Sequence, residues 1–324
     1  MENHVEKMLL TRLEQAEIPY AQQENMTRHT TFAIGGLAKY FVSPQNEQQL
    51  IAALRLAREF SVSYVILGRG SNVLLSDEGF DGMVISTLAI RHISALQADA
   101  DADQPPRIFA ACGASLRELA LLAAEHGWQG LEFAYGIPGT LGGAIRMNAG
   151  AYGGNIGDFV KEVRLYCTET DQVLRLGGDE LAFSYRHSAL TDHAEWVCLS
   201  ATLELAVQAS DDRSLQERQG DIRAAMEEMR RRRRDTQPLT YPSAGSVFKR
   251  PEGHFAGKLI EDCGLKGKSI GGAQISEKHA GFIINRGGAT AADVRALIRL
   301  IQAEVMDRFG VALEEEIVLI DNGK

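Results

Sequence analysis

An α+β fold is predicted for this 324-residue chain from three observations. Short apolar runs of strand character and longer segments of helical periodicity follow one another without strict alternation, so α+β is the better class. No apolar run approaches the roughly 18–20 residues that span a bilayer, so the 45% of hydrophobic residues is dispersed over small elements of a core. The 32 glycines exceed the share given by an average usage of about 7%, and they are clustered. At about 100–200 residues per domain, the length implies two or three domains.

The elements are expected in the following order. The opening MENHVEKMLLTRLEQ predicts an amphipathic helix over 3–17. Its apolar stretch is too short and too interrupted for a signal peptide. A strand over 39–42, a helix over 46–60 and a strand over 64–67 form a βαβ-like unit. The turn Gly68-Arg69-Gly70-Ser71-Asn72 follows at once. Strands are expected over 73–75, 83–85 and 108–111, a surface loop over 97–106, and a helix over 115–126. Residues 130–157 are glycine-dense. Strands follow over 160–168, 173–176 and 196–207, then a charged helix over 211–234, the expected crossing into another domain. A loop (235–254), a helix (255–263), a short strand (281–284), a long helix (290–309) and a final strand (313–320) complete the chain.

The net charge of −9 argues against a general nucleic-acid binder, which carries a basic face, and leaves room for a local cationic pocket. Cys112, Cys167, Cys198 and Cys263 have no CxxC spacing and read as buried reduced thiols, with no zinc site. The cytoplasm is the expected location.

Five segments are candidates for chemistry. The turn Gly68–Asn72 has glycines that admit close backbone approach to a phosphate, and it also reads as an ordinary strand exit. It is no Rossmann fingerprint, because Val73 stands where the third glycine is needed and no helix follows. The segment Gly136-Ile137-Pro138-Gly139-Thr140-Leu141-Gly142-Gly143, with Asn148-Ala149-Gly150, suits wrapping a pyrophosphate or a flat ring with main-chain donors, or else forms a buried connector. In Phe183-Ser184-Tyr185-Arg186-His187-Ser188, Arg186 is a site residue or a surface one. Ser246 lies between Gly245 and a buried-looking Val247-Phe248 pair, a good place for an aimed hydroxyl. No GxSxG elbow surrounds it, so no hydrolase triad is expected. In Leu313–Leu319, strand alternation puts Glu314 and Glu316 on one face. One of those carboxylates is then partly buried, or the run is a solvated edge. The arginines Arg230–Arg234 read as a nucleic-acid contact, as the solvated end of a helix, or as the source of one diphosphate ligand.

RHTTFAIGG, LGRGSNVL, GIPGTLGGAIRMNAGAYG, FSYRHS, QPLTYPSAGSVFKRP, GKLIEDCGLKG, GGAQISEKHAGFIIN and LEEEI, in this order, resemble one family, the UDP-N-acetylenolpyruvoylglucosamine reductases of peptidoglycan synthesis. The resemblance runs from about Thr30 to the C-terminus. It implies a non-Rossmann FAD-binding fold of the vanillyl-alcohol-oxidase (PCMH) type in two subdomains, plus a C-terminal α+β substrate-binding domain. The implied division is 1–68 with 318–324, then 69–212, then 213–317. The short path from the arginine run through QPLTYPSAGS resembles the shorter of the family's two subtypes, without a lid-like tyrosine loop.

The activity implied is reduction of UDP-N-acetylglucosamine enolpyruvate to UDP-N-acetylmuramate, with NADPH as hydride donor through non-covalent FAD, and with neither nucleic acid nor membrane as partner. Arg186 matches the arginine of the YR motif, Ser246 the serine of GS-F-K, and Glu316 the second acid of LExE. FAD is expected on Gly68, Arg69, Gly70, Ser71, Asn72, Gly136, Ile137, Pro138, Gly139, Thr140, Gly142, Gly143, Asn148, Ala149 and Gly150. The UDP portion is expected on Arg234, Tyr241, Lys249, Arg250 and His279. Two departures from the family pattern are Arg250, where asparagine is frequent, and Ile317 for valine. Rival readings are a flavin oxidase or dehydrogenase of the same fold on another substrate, and a non-catalytic nucleotide-sugar or nucleic-acid binder.

Overall fold

The structure, a computed structural model, describes residues 2–96, 105–206 and 213–322. Most of the stretch expected as a loop over 97–106, and the last residue of the strand expected over 196–207, lie outside the described residues. The chain forms two compact units, one from Met1–Tyr20, Val42–Gly68 and Ile85–Arg232, the other from Ala21–Phe41, Arg69–Val84 and Arg233–Lys324.

In chain order the elements begin with helix α1 (Glu2–Gln15), strands β1 (Tyr20–Asn25) and β2 (Leu37–Val42), helix α2 (Glu47–Glu59), and strands β3 (Tyr64–Leu67), β4 (Val73–Leu75), β5 (Phe80–Ser86), β6 (Ile93–Leu96) and β7 (Arg107–Ala111). Next come α3 (Leu116–Glu125), α4 (Leu141–Arg146), β8 (Gly150–Ala151), β9 (Gly154–Asn155), β10 (Val160–Cys167), β11 (Gln172–Gly177), α5 (Ala189–Asp192) and β12 (Trp196–Glu204). The chain ends with α6 (Leu215–Thr236), α7 (Ala256–Asp262), β13 (Ser269–Ile270), β14 (Ala273–Ile275), β15 (Ile283–Asn285), α8 (Ala291–Phe309) and β16 (Val318–Ile320). The mixture is α+β, as the irregular alternation predicts.

The first unit is built on an antiparallel sheet of order β11-β10-β12-β7-β6. Helix α2 buries Leu50, Ala53, Leu54 and Ala57, one stripe at helical spacing. The Asn46 side chain caps it, accepting the Gln49 N–H at 2.9 Å. In its first turn Glu47 takes both Arg164 terminal nitrogens, each at 2.8 Å, which ties the helix to β10. Helix α3 buries Leu116, Leu119, Ala120 and Ala123.

The second unit has the antiparallel sheet β13-β14-β15 and the parallel pair β16-β4, in register from Val318 opposite Val73 to Ile320 opposite Leu75. Its core joins Phe32, Leu74, Val247 and Phe248 to Ile283 and to the α8 stripe Val294, Leu297, Ile298, Ile301 and Val305. Asp77 receives the first N–H groups of α8, from Ala291 at 2.7 Å and Ala292 at 2.9 Å.

Some elements differ from the expected order. The final strand is confined to Val318–Ile320, and Leu313–Ile317 is extended chain with a single bridge, Glu315 opposite Phe248. Across that bridge alternation holds: Lys249 N–H donates to Glu314 O and Glu316 N–H to Val247 O, with Glu314 exposed and Glu316 half-buried on one side and Leu313 and Ile317 buried on the other. The glycine-dense segment, in which no helix is expected, contains α4. Tertiary bonds offset its two glycines: Leu141 N–H donates to Ala114 O and Gly142 N–H to Cys112 O, both at 2.8 Å. No helix of the described residues is long and apolar enough to cross a membrane.

Candidate active site

In the first unit, the glycines expected to face a cofactor divide by what surrounds them. A Cβ on Gly68 would stand 2.2 Å from Thr140 Oγ1, and one on Gly150 would stand 2.2 Å from Asn155 Oδ1. One on Gly142 would stand 3.2 Å from Cys112 Cβ. Gly68 and Gly150 are glycine because the chain packs on itself there, and Gly142 is tight against Cys112. Gly139 and Gly143 differ: the nearest atoms to a Cβ would be at 3.5 Å and 3.7 Å, ordinary contact distances, and neither residue has a positive φ. Nothing in the fold requires glycine at these two, and Gly143, like Pro138, is exposed. Main chain left bare without an internal reason fits a ligand laid against it. Gly136 closes a short 3-10 turn (Glu132–Gly136), from which Ile137 donates to Ala134 O at 3.1 Å. Thr140 is buried and bridges Ser115.

Arg186 occupies the tip of a tight hairpin, in which Ser184 and His187 exchange backbone hydrogen bonds of 3.1 and 3.2 Å. Its φ is +55°, the left-handed region that costs an L-residue about 1–2 kcal/mol. The hairpin is held from both ends. Asn148, itself buried at φ +41°, donates to Ser184 O at 2.8 Å and accepts the Gly157 N–H at 3.0 Å. Ser188, fully buried, donates to Arg146 O at 3.0 Å. Ala149 donates to Ala144 O at 2.8 Å, which holds the chain after α4. The Arg186 guanidinium donates to Gly150 O at 3.1 Å and lies 4.9 Å from the Tyr185 ring centre. The structure thus joins Arg186 to the Asn148–Gly150 part of the glycine segment. Arg146 is occupied by the Leu190 carbonyl, and burial lowers its pKa.

In the second unit, Ser246 lies on an extended run flanked on both sides. Ser246 bridges Phe282 and Val247 N–H donates to Gly281 O at 2.9 Å. On the other side Glu316 N–H donates to Val247 O at 2.8 Å and Lys249 N–H to Glu314 O at 2.8 Å. Ser246 and Glu316, both half-buried, are therefore carried by hydrogen-bonded neighbours. The Arg69–Asn72 turn joins them: Asn72 Nδ2 donates to Glu316 O at 3.0 Å, and Asn72 O accepts the Val318 N–H at 2.9 Å. A Cβ on Gly245 would stand 4.0 Å from Ser71 O. Gly70, at φ +62°, has its place against His29, where a Cβ would stand 2.3 Å from the carbonyl oxygen. Arg69 is exposed.

The residues expected to hold UDP are more scattered in their partners. Lys249 forms an ion pair with Glu314, and the Tyr241 hydroxyl accepts from Arg286, whose guanidinium lies 4.7 Å from its ring centre. Arg250 stacks on Phe255 at 3.9 Å. Arg234 is exposed, 3.7 Å from Asp235. His279 Nδ1 accepts the Gly281 N–H at 3.1 Å, which assigns the ring proton to Nε2. Burial lowers the His279 pKa, so the ring is a neutral donor. Along α6, Glu227 pairs with Arg230 at 2.7 Å, and Glu228 pairs with Arg231 at 2.8 Å and Arg232 at 2.7 Å. Those two arginines hold the Glu228 carboxyl down at about 2. Much of the arginine run is thus engaged along its own helix, as at a solvated helix end.

Sequence reasoning missed Thr31 and Asn285. Thr31 Oγ1 donates to Ser243 O at 2.7 Å, and Asn285 Nδ2 donates to Phe32 O at 3.1 Å while its N–H donates to Pro242 O at 2.9 Å. Both stand in quoted motifs, RHTTFAIGG and AGFIIN, whose polar members were given no task.

The FAD binding domain family model matches residues 38–177, and the model of the C-terminal domain of UDP-N-acetylenolpyruvoylglucosamine reductase matches residues 237–320. The UDP-N-acetylenolpyruvoylglucosamine reductase of Caldanaerobacter subterraneus subsp. tengcongensis is 46% identical over 297 residues, 92% of each chain. That of Caldicellulosiruptor bescii is 46% identical over 308 residues, 95% of this chain and 93% of the other. The crystal structure of UDP-N-acetylenolpyruvylglucosamine reductase from Thermus caldophilus aligns with a TM-score of 0.72 at 31% identity, over 93% of this chain and 98% of that one. Identity at this level over nearly the whole length shows that the chain belongs to the UDP-N-acetylenolpyruvoylglucosamine reductase family.

Proposed function

We propose that this protein reduces UDP-N-acetylglucosamine enolpyruvate to UDP-N-acetylmuramate in the cytoplasm, with NADPH as reductant and FAD as bound cofactor, for peptidoglycan precursor synthesis. The observation that carries the reading is the pairing of Ser246 and Glu316 on hydrogen-bonded neighbours beside the Arg69–Asn72 turn, in a chain of this family. The bare main chain at Gly139 and Gly143 supports FAD at the glycine segment. Residues 1–68 with 318–324 and 69–212 are assigned as the cofactor parts and 213–317 as the substrate part. The separate matches over 38–177 and 237–320 support a cofactor part and a substrate part.

FAD, which the bare main chain at Gly139 and Gly143 would hold, would, once reduced by NADPH, supply hydride chemistry to the terminal vinyl carbon of the enol ether. As that C–H bond forms and the C=C π bond breaks, negative charge develops on the adjacent carbon and spreads into its carboxylate. Arg186 stays charged and its planar fork matches a carboxylate, so it stabilises this charge more in the transition state than in the substrate. Its strained φ at a hairpin tip supports such a role, because strain persists where the surroundings impose it. Glu316, in its protonated form, donates a hydrogen bond to the same oxygens. Ser246 Oγ gives its proton to the carbanionic carbon and recovers one from solvent. Lys249, Tyr241, Arg250, Arg234 and His279 are assigned to the UDP portion, His279 as a neutral Nε2–H donor.

Glu316 variants test the assignment. Glu316→Gln is expected to retain more activity than Glu316→Ala, since an amide still donates. Equal losses in the two variants remove hydrogen-bond donation from the mechanism.

A further inference from the structure

We infer that Thr31 is a positioning residue for Ser246, its hydroxyl fixing the loop that carries the proton donor against the Arg69–Asn72 turn. The inference rests on the function proposed above and adds a residue to its site. Thr31 sits between the two segments and bonds to each. Its N–H donates to Gly70 O at 3.0 Å, and its carbonyl accepts the Ser243 N–H at 3.1 Å. Its hydroxyl lies 2.7 Å from Ser243 O and 3.4 Å from Gly70 O, so the proton belongs to Ser243 O.

The approach to Ser246 depends on this bond. After Ser246 the chain is fixed by the Phe282 bridge and by Val247 N–H on Gly281 O. Before it lie Gly245, at φ +81° with no side chain to anchor, and Ala244, which is buried. The next polar anchors upstream are Ser243, held by Thr31, and Pro242, whose carbonyl takes the Asn285 N–H at 2.9 Å. Asn285 Nδ2 also donates to Phe32 O and Ala33 O, at 3.1 and 3.3 Å, and so grips the residues that follow Thr31. The turn at 30–34 is therefore the bed on which the Ser246 loop rests. Of its contacts to that loop, the Thr31 hydroxyl is one that a side-chain substitution can remove without touching the backbone.

A serine is a weak acid, so its proton transfer depends on how the hydroxyl is aimed, and small displacements of a reacting group are costly in rate. Flavin reduction by NADPH makes no use of Ser246. Loss of the Thr31 hydroxyl should then slow one half-reaction and spare the other. A role in fold stability alone would not distinguish them.

The test is stopped-flow on FAD-loaded wild-type, Thr31→Val, Thr31→Cys and Thr31→Ser proteins, with NADPH for the reductive half and the enolpyruvyl UDP-sugar for the oxidative half. Thr31→Val is expected to reduce its flavin within about twofold of wild type and to reoxidise it about tenfold more slowly, the order set by one neutral hydrogen bond. Thr31→Cys should fall between, because a thiol is a weak donor, and Thr31→Ser should restore reoxidation. Should Thr31→Val fail to fold, the Cys and Ser variants decide. Equal slowing of both halves, no slowing in Val or Cys, or failure of Ser to restore reoxidation overturns the inference. An inactive wild type overturns the proposed function and this inference together, whereas an active wild type with indifferent variants overturns the inference alone.

Discussion

Gly143→Ala adds one methyl group to α4 where the fold has room for it. The nearest atom would be Thr140 Oγ1 at 3.7 Å, and the backbone lies outside the left-handed region. Alanine is favoured over glycine in a helix by up to about 1 kcal/mol. The apoprotein should therefore be unharmed, with a Tm raised by at most roughly 2–4 °C. The FAD complex should respond in the opposite sense. A methyl forced into a packed contact costs about 1–3 kcal/mol, which is about 5- to 150-fold in Kd. Gly150→Ala is the internal contrast. Its methyl would stand 2.6 Å from the Gly154 carbonyl oxygen, so the apoprotein itself should lose stability. Thermal denaturation of both apoproteins and titration with FAD, followed by flavin fluorescence, measure the two effects. Wild-type FAD affinity in Gly143→Ala would remove the cofactor from this stretch of backbone. A destabilised Gly143→Ala apoprotein would show that the room is not there.

Three other outcomes follow from single side chains. Ser246→Ala should leave NADPH-driven flavin reduction nearly intact and slow reoxidation by substrate by several orders of magnitude; equal loss in both half-reactions, measured by stopped-flow, would end its role as proton donor. Arg186→Gly relieves a left-handed residue, so Tm should hold or rise while turnover collapses, and a fall in Tm would show that the side chain serves the fold. His279 has a pKa depressed by burial, so the unfolded chain binds its proton more readily; the stability it contributes is present above its ordinary value of about 6.5 and is lost as pH falls through the depressed folded value. Melts of wild type against His279→Asn, which keeps an acceptor for Gly281 N–H, should show a shallower acid decline in the variant.

Much of the fold was legible where periodicity is long. The spacing of Leu50, Ala53, Leu54 and Ala57 marked α2, and that of Val294, Leu297, Ile298 and Ile301 marked α8, each to within a residue or two. Strand β1 was not legible, because YAQQEN carries no apolar alternation. Helix α4 was hidden for the opposite reason: its propensity is poor, and its Leu141 and Gly142 N–H groups are held by the carbonyls of Ala114 and Cys112, distant in sequence. At the LEEEI segment the strand length was overestimated, since 313–317 makes a single bridge rather than a ladder, while alternation around Glu315 holds. The site shows the same division. Motif order singled out Arg186, Ser246 and Glu316 as candidates. Only geometry separated Gly139 and Gly143, which nothing internal explains, from Gly68 and Gly150, which the chain's own packing demands. Thr31 and Asn285 act through main-chain carbonyls, and a carbonyl partner leaves no mark in a sequence.

NADPH oxidation by the FAD-loaded protein, followed with and without UDP-N-acetylglucosamine enolpyruvate, tests the central claim most directly. The result expected is steady NADPH consumption that requires the enolpyruvyl sugar and yields UDP-N-acetylmuramate in equal amount. Protein that binds no FAD, or whose NADPH oxidation is indifferent to that substrate, would contradict it.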